Sequence, residues 1–245
     1  MLNKKRIIKF FTTATLMVAV FLFSPFLSST SGGQTPAPND ASSGIEVSLI
    51  ESVWFPSYNQ RQSRNSAVKV EGMTGGHGSG TYVRIGSEYI IITARHVVDD
   101  AEVYYISHED ERVVGQVIWK SQQYDIAALR VPQMKNRRAV NLQETDAMSV
   151  GEEVLYTGYP ASYRLLTARA YVSGHQASYR ATLLQGFVWF GYSGSGVFDG
   201  SGRIRGVVVA IGTERFGRNR VPLETMVYCH ELTPAEVQQI KEALK

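Results

Sequence analysis

Three short segments carry side chains that could together perform nucleophilic acyl transfer. In chain order they are Thr93-Ala94-Arg95-His96, Tyr124-Asp125-Ile126-Ala127 and Gly191-Tyr192-Ser193-Gly194. A serine hydroxyl is a weak nucleophile until a base removes its proton, and a carboxylate can orient that base and stabilise its positive form. The sequence therefore predicts Ser193 as nucleophile, His96 as base and Asp125 as the orienting carboxylate.

Each of these residues also has an ordinary structural explanation when it is taken alone. His96 precedes two valines and could belong to the core, Asp125 could end a strand, and Ser193 lies in a Gly-rich turn. The occurrence of all three, in one order and with compatible flanking residues, favours the catalytic interpretation.

Alternating apolar and polar residues predict the strands that would carry these side chains. Short runs rich in Val, Ile, Tyr and Thr are separated by Gly, Asn, Asp or Ser. They predict strands at 67–70, 80–85, 89–93, 102–106, 113–119 and 126–131, then, after a polar connector at 132–146, at 153–157, 165–172, 180–184, 196–198, 203–211 and 225–228. Two sets of six predict an all-β protein of two antiparallel barrels, because closed barrels leave few exposed sheet edges. Barrel one would span about residues 60–132 and barrel two about residues 147–230.

The last segment predicts a helix at 233–244. Thr233-Pro234-Ala235-Glu236 is a capping-box pattern with proline at the first helical position. Val237, Ile240 and Leu244 then fall on one helical face. We expect this helix to pack on the second barrel, although a partner-binding helix is the alternative.

The chain resembles the trypsin-like, chymotrypsin-fold serine peptidases over about residues 66–212. Within that family it is most similar to the bacterial Deg-type proteases and the glutamyl endopeptidases. The similar segments are Gly78-Ser79-Gly80, residues 89–98, residues 125–129, residues 150–160, Ser193-Gly194-Ser195-Gly196 with Val197-Phe198, and residues 206–209. The resemblance implies two chymotrypsin-like barrels with the active site between them, and a serine endopeptidase that works through an acyl-enzyme.

The resemblance also implies which serine reacts. Both Ser193 and Ser195 precede a glycine, and aligning Val197-Phe198 with the family's hydrophobic pair selects Ser193. The backbone N–H groups of Gly191 and Ser193 would then form the oxyanion hole. Tyr192 stands where the family usually has Asp or Asn. That departure supports the rival interpretation, a catalytically inactive protease-fold binding or scaffold protein.

By the same resemblance, Phe187, Val209 and Gly212 would line the substrate pocket. Phe187 is six residues before Ser193, and no acid occupies that position, so cleavage after Lys or Arg is not expected. We expect a small or apolar residue before the scissile bond. Alternatively, Phe187 and Trp189 are core aromatics that do not bear on the pocket.

The N-terminal segment predicts export. Lys4, Lys5, Arg6 and Lys9 precede an apolar run that reaches about Leu27. This pattern is typical of a secretory signal peptide, or of a signal-anchor if it is not cleaved, over residues 1–31. Residues 32–44, rich in Ser, Gly, Pro and Thr, predict a flexible linker to a peptidase domain at 45–245. We therefore expect that domain to lie outside the cytoplasm, with possible membrane anchoring through the first segment.

Charge and cysteine content exclude several classes of protein. Four of the 25 basic residues and none of the 22 acidic residues lie before Ser31, which leaves 21 basic and 22 acidic residues in the rest of the chain. No nucleic-acid partner is predicted, and the expected partner is a protein or peptide substrate. Cys229 is the only cysteine, so no intrachain disulfide can form. The scattered histidines predict no metal site, and no cofactor is implied.

Two further properties follow less directly from the sequence. Fifteen residues follow His230, so we expect no PDZ-like domain of the Deg type within this chain. This expectation weighs against a third function, an envelope quality-control factor. The sequence predicts no particular oligomeric state.

Overall fold

Strands make up most of the described part of the chain. The computed structural model describes residues 57–73 and 75–245. The strands are β1 (Ala67–Glu71), β2 (His77–Ile85), β3 (Glu88–Thr93), β4 (Val103–His108), β5 (Glu111–Lys120), β6 (Ala127–Val131), β7 (Val140–Asn141), β8 (Glu153–Gly158), β9 (Leu166–Gln176), β10 (Ala181–Gly186), β11 (Gly196–Phe198), β12 (Ile204–Phe216) and β13 (Asn219–Glu231). Two α-helices, α1 (Tyr58–Ser66) and α2 (Pro234–Ala243), and short 3-10 helices at Arg95–Val98 and Ala177–Tyr179 complete the elements.

The first six strands form one closed antiparallel barrel. Their order is β1-β4-β5-β6-β3-β2, and pairing of β1 with β2 closes the ring. The inward-facing side chains of these strands form a buried cluster that includes Tyr82, Tyr104, Ile106 and Leu129. The short strand β7, which lies within the predicted polar connector, adds to β2 in parallel.

The second set of strands forms a closed barrel in the order β10-β13-β12-β11-β8-β9. Its core includes Tyr156, Leu184, Val197 and Val227. The prediction of two six-stranded antiparallel barrels followed by a C-terminal helix is therefore confirmed.

The hairpin of β12 and β13 is longer than the sequence predicts. It reaches Phe216 on one strand and resumes at Asn219 on the other, with Gly217 at a positive φ of 61° in the two-residue turn. Residues 213–221 are all exposed. Because neither face of the hairpin end is buried, the sequence there lacks the apolar alternation that reveals a strand.

Helix α2 packs where the two barrels meet. Thr233 Oγ1 accepts a hydrogen bond from the Glu236 N–H, which caps the helix as predicted. Val237 and Ile240 are fully buried in a cluster that contains Ile92 from the first barrel and Val207 from the second. The helix therefore contacts the cores of both barrels, whereas the sequence predicts packing on the second alone.

Helix α1 is not predicted by the sequence. Its residues, Tyr58–Ser66, are almost all polar and show no apolar stripe. The helix nevertheless buries Ser63 and Ser66, and Ser63 Oγ donates to Thr157 Oγ1 at 2.8 Å in the second barrel. A helix that is buried through small polar side chains gives no hydrophobic periodicity to detect.

The predicted signal segment and linker, residues 1–44, lie outside the described residues. Among the residues that the structure does describe, no helix has the length and apolar character needed to cross a membrane.

A buried histidine connects the barrels and predicts a pH-dependent stability. His108 is 6% exposed, and its Nδ1 lies 2.5 Å from the Tyr159 hydroxyl of the second barrel. Burial lowers the pKa of His108 below its ordinary 6.5, and the nearby positive charge of Arg137 lowers it further. The unfolded chain thus binds a proton at a pH where the folded chain does not. The free energy of unfolding should fall as the pH drops below about 6.5.

Replacing His108 with asparagine should make that dependence shallower. Loss of one titrating group removes at most about 1.4 kcal/mol per pH unit from the slope. Urea unfolding at several pH values between 7 and 5 measures the slope, which does not depend on any general loss of stability in the variant. Identical slopes for the two proteins would contradict the assignment.

Candidate active site

His96 lies just beyond the end of β3. That strand ends at Thr93, and the chain then enters the 3-10 helix Arg95–Val98, which carries His96. Thr93 Oγ1 donates to the Ser79 carbonyl at 2.7 Å, which fixes the strand end against β2. The His96 side chain is 45% exposed. The predicted base is therefore accessible, although its backbone neighbours Ala94 and Val98 are buried.

Asp125 accepts two hydrogen bonds from His96. Its Oδ2 lies 2.6 Å from His96 Nδ1, and its Oδ1 accepts from the His96 backbone N–H at 2.8 Å. Burial alone would raise the pKa of Asp125, but these hydrogen bonds and the charge of His96 outweigh it and hold the pKa below its ordinary value. The carboxylate is therefore ionised near neutral pH. The His96 ring is consequently held with Nδ1–H toward Asp125 and Nε2 free to accept a proton.

Ser193 is joined to the first barrel through Gly78 and Ser79. The Ser79 N–H donates to the Ser193 carbonyl at 2.7 Å. A Cβ placed on Gly78 would lie 2.8 Å from that same carbonyl oxygen and 2.6 Å from Val97 Cγ2. Because Val97 follows His96 directly, Gly78 is enclosed between the Val97 side chain, next to His96, and the Ser193 backbone. Among the described residues, no hydrogen bond joins His96 Nε2 to Ser193 Oγ, a contact that is often long before substrate binds.

The loop before Ser193 has its carbonyl groups tied to the protein. Phe190 C=O accepts from the Ala161 N–H at 2.7 Å, and Gly191 C=O accepts from Ser79 Oγ at 2.7 Å. Tyr192 C=O accepts from the Ser195 N–H at 2.9 Å. In a planar trans peptide, a fixed carbonyl also fixes the N–H of the following residue in the opposite direction.

The amides of Gly191 and Ser193 are consequently held in set directions. Neither N–H donates a hydrogen bond within the described part of the chain. Gly191 has a φ of 100° and is the third residue of a turn closed by the Tyr192 N–H and the Trp189 carbonyl at 3.1 Å. A positive φ at this position is typical of a type II turn, which glycine adopts without strain. Two preorganised donors two residues apart can stabilise an oxyanion.

Tyr192 lies in the core of the second barrel. It is 1% exposed, and its ring makes edge contacts with Tyr156 at 5.4 Å and Phe187 at 6.3 Å between centroids. Burial raises the pKa of Tyr192 to about 12, so the phenol is neutral. The side chain that departs from the family pattern therefore packs into the core of the second barrel.

Ser193 and Ser195 differ in accessibility. Ser193 is partly exposed, whereas Ser195 is fully buried. Ser195 Oγ has no hydrogen-bond partner, and a Cβ placed on Gly158 would lie 2.2 Å from it. Ser195 thus fills space beneath the loop, where a substrate carbonyl has no room.

The structure places the three predicted pocket residues in different surroundings. Phe187 is 48% exposed and lies against Tyr192. Val209 is buried in the cluster that holds helix α2, away from the core that contains Tyr192. A Cβ placed on Gly212 would lie 2.7 Å from Met226 Cβ, so Met226 covers this glycine.

Sequence reasoning missed two supporting residues, Ser79 and His230. Ser79 Oγ donates to Gly191 C=O and accepts from the Tyr159 N–H at 2.9 Å. The Gly78-Ser79-Gly80 segment drew attention only as a strand marker, although its glycines already indicated close backbone contact. His230 bonds to the backbone of Asp125 and had no detectable sequence signal. Within the described ranges, no group of three His, Cys, Asp or Glu side chains could hold a metal ion.

The sequence is similar to those of known peptidases. A family model described as a trypsin-like peptidase domain matches residues 78–207. The periplasmic serine endoprotease DegP of Salmonella typhimurium is 33% identical over 84 residues, which are 34% of this chain and 18% of DegP. The magnetosome formation protease MamE of Magnetospirillum gryphiswaldense is 26% identical over 146 residues, 55% of this chain and 19% of MamE. The chain spans about a fifth of the length of these curated relatives.

Solved structures share the fold. The HtrA-type protease AlgW, solved with a tripeptide, superposes with a TM-score of 0.62 at 18% identity, over 78% of this chain and 64% of AlgW. The inactive form of Rv3671c from M. tuberculosis H37Rv gives a TM-score of 0.58 at 18% identity, over 76% of this chain and 90% of that one. At this identity the similarity concerns the arrangement of the two barrels.

Proposed function

Because the chain belongs to the trypsin-like peptidase domain family, we propose that it is a serine endopeptidase with His96, Asp125 and Ser193 as its catalytic triad. The observation that carries this proposal is the pairing of Asp125 with His96, together with a loop whose Gly191 and Ser193 N–H groups have no acceptor among the described residues. The two halves of that arrangement come from different barrels and serve no evident packing purpose together.

The proposed mechanism assigns one proton path. His96 Nε2 removes the Ser193 hydroxyl proton as the oxygen attacks a peptide carbonyl, and the imidazolium is stabilised by Asp125. The N–H groups of Gly191 and Ser193 bind the oxyanion. His96 then gives its proton to the leaving amine. Water repeats the sequence on the acyl-enzyme and releases the acid.

Fluorophosphonate labelling of the folded protein tests this proposal. The reagent phosphonylates a serine, with loss of fluoride, only when a base has activated the hydroxyl. Labelling therefore distinguishes an enzyme from a binding or scaffold protein with the same fold. We expect one covalent adduct per chain, seen by mass spectrometry of the intact protein. A folded protein that stays unlabelled would favour the binding function.

Substitution of Gly191 tests the oxyanion hole. In Gly191→Ala, the new Cβ would lie 2.4 Å from the Tyr159 carbonyl oxygen, at a φ that alanine rarely adopts. The turn must shift and misdirect the Gly191 N–H. We expect kcat to fall by about a hundredfold to a thousandfold, as for loss of one oxyanion donor.

Gly200→Ala is the matched control. Gly200 lies in the turn between β11 and β12, and a Cβ there meets nothing within 4 Å. This variant should keep the wild-type kcat. Thermal unfolding of both variants separates a local change from a loss of fold, and a Gly191→Ala enzyme with unchanged kcat would exclude this amide from the mechanism.

We propose in addition that residues 1–31 send the domain out of the cytoplasm, as a signal peptide or a signal-anchor, with residues 32–44 as linker. The basic and apolar pattern of the first residues supports this, as does the periplasmic location in the name of DegP. Cell fractionation, with determination of the mature N-terminus, tests it. Recovery of the intact chain in the cytoplasm would contradict it.

For the substrate, we propose a protein or peptide cleaved after a small or apolar residue. Phe187 and Phe190, both partly exposed beside the nucleophile loop, support this preference, and Phe187, Val209 and Gly212 remain the proposed pocket. A peptide library that varies the residue before the cleaved bond tests it. Preferred cleavage after Lys or Arg would contradict it.

A further inference from the structure

The backbone of Asp125 is bonded to a histidine from the last strand of the second barrel. The Asp125 N–H donates to His230 Nδ1 at 2.7 Å. On the other side of the same ring, His230 Nε2 lies 3.3 Å from the Tyr179 carbonyl oxygen. His230 therefore joins the loop of the first barrel that carries Asp125 to the second barrel.

These two contacts determine the tautomer of His230. A backbone N–H can only donate, so Nδ1 must be the unprotonated, accepting nitrogen. A carbonyl oxygen can only accept, so Nε2 must carry the proton. Burial lowers the pKa of His230, against the opposing influence of the Tyr179 carbonyl and of Asp125, which favours this neutral ring. The edge contact with Tyr124, at 5.5 Å between centroids, fixes the plane of the ring.

The rest of the Asp125 loop is also held by the C-terminal segment. Ser121 Oγ donates to Glu236 Oε1 of helix α2 at 2.6 Å. Ser121 Oγ also accepts hydrogen bonds from the Gln123 N–H at 3.2 Å and the Tyr124 N–H at 3.0 Å. Because Ser121 already orders the loop up to Tyr124, the bond to His230 is the contact that sets the next peptide, at Asp125 itself.

The direction of that peptide matters for the carboxylate. Both carboxylate oxygens of Asp125 bond to His96, one to the ring and one to the backbone. A rotation of the Asp125 backbone would break at least one of these two bonds. The carboxylate has no other hydrogen-bond donor among the described residues.

We propose that His230 is a positioning residue for Asp125, which it holds through a hydrogen bond from the Asp125 backbone N–H to Nδ1. This inference rests on the proposed function, because it gives Asp125 the orienting role in the triad. A residue that merely filled space here could be replaced by any apolar side chain of similar size. A positioning residue needs an acceptor at the place of Nδ1.

Two variants of the full chain separate these roles. In His230→Asn, the side-chain oxygen can take the place of Nδ1 as an acceptor, whereas His230→Leu has similar bulk and no acceptor. We expect His230→Leu to lower kcat by about tenfold to a hundredfold, the loss typical of a misplaced catalytic group, with little change in KM. We expect His230→Asn to keep kcat within about threefold of wild type. His175→Leu, on a half-exposed histidine of the same barrel, is the control and should change nothing.

The pH profile of kcat/KM supplies a readout that a packing role would not move. Its acid limb reports protonation of the base in the free enzyme. A poorly held carboxylate stabilises the imidazolium less, so the acid limb of His230→Leu should move to lower pH while that of His230→Asn stays in place. Equal activity and equal acid limbs in both variants would overturn the proposal. Equal losses of kcat in His230→Leu and His230→Asn, without movement of the acid limb in either variant, would also overturn it.

A proton NMR measurement separates this proposal from the function on which it rests. The His96 Nδ1–H, bonded to Asp125, should give a far-downfield signal in wild type and in His230→Asn. Faster exchange should broaden it in His230→Leu, whether or not the protein turns over substrate. An unchanged signal in His230→Leu would overturn the positioning role. Absence of labelling in wild type with the expected NMR differences would overturn only the peptidase function.

Discussion

The Ser193→Ala variant is expected to lose all fluorophosphonate labelling and to hydrolyse peptides on the order of a millionfold more slowly, as when the nucleophile of such a triad is removed. Ser193 supplies the attacking oxygen in the proposed mechanism, whereas Ser195, the other serine of the loop, is fully buried. Its side chain makes no hydrogen bond within the described residues, so alanine should fold normally. Mass spectrometry of the labelled protein and a peptide-cleavage assay measure the two effects.

Ser195→Ala is the matched control, because it changes the same residue type two positions away. Ser195 Oγ is buried and has no hydrogen-bond partner. Removing an unsatisfied buried hydroxyl should leave stability unchanged or slightly increased. Labelling and hydrolysis should persist. The assignment of the nucleophile fails if Ser195→Ala abolishes labelling and Ser193→Ala does not.

The second large effect is expected from Asp125→Asn, which should lower kcat about ten-thousandfold at neutral pH. In the native protein both carboxylate oxygens accept from His96, one from the backbone and one from Nδ1. The backbone N–H is a permanent donor, so the amide oxygen of asparagine must face it. The amide NH2 then faces Nδ1, which can bond to it only as an unprotonated acceptor. This forces the proton onto Nε2, where His96 can no longer take one from Ser193.

Asp99→Asn is the corresponding control. Asp99 lies close to His96 on the surface, where it contacts Arg95 and Lys120. Exposed ion pairs of this kind contribute little to stability, so this variant should behave like wild type. Kinetics at pH 7, with a thermal unfolding curve for each variant, make the comparison. A kcat of Asp125→Asn within tenfold of wild type would exclude the orienting role.

The parts of the fold that bury an apolar face could be predicted from the sequence. Strand β3 is a buried apolar run, strand β9 alternates between exposed and buried residues, and the capped helix α2 buries one apolar face. Helix α1 and the outer part of the β12–β13 hairpin could not be predicted this way. Helix α1 buries serines, and the outer part of the hairpin is exposed on both faces. Neither element therefore has an apolar pattern in its sequence.

Some residues of the candidate site could be predicted from the sequence and others could not. His96, Asp125 and Ser193 were recognisable because chemistry requires those residue types near particular flanking residues. Ser79 and His230 act through backbone atoms of other residues, at separations of 112 and 105 positions along the chain. No local spacing encodes such contacts, since only the closing of two barrels brings them together.

The contacts of the Asp125 loop with His230 and Glu236 also determine when this loop can become fully ordered during synthesis. A ribosome makes residues 121–125 long before residues 230–236, and domains begin to fold as they emerge. The first barrel can therefore close around His96 while the loop that carries Asp125 still lacks two of its partners. The loop that carries Asp125 gains these contacts only when strand β13 and helix α2 have docked. Under the proposed function, the triad of a nascent chain is therefore incompletely positioned until residues 230–236 have been made.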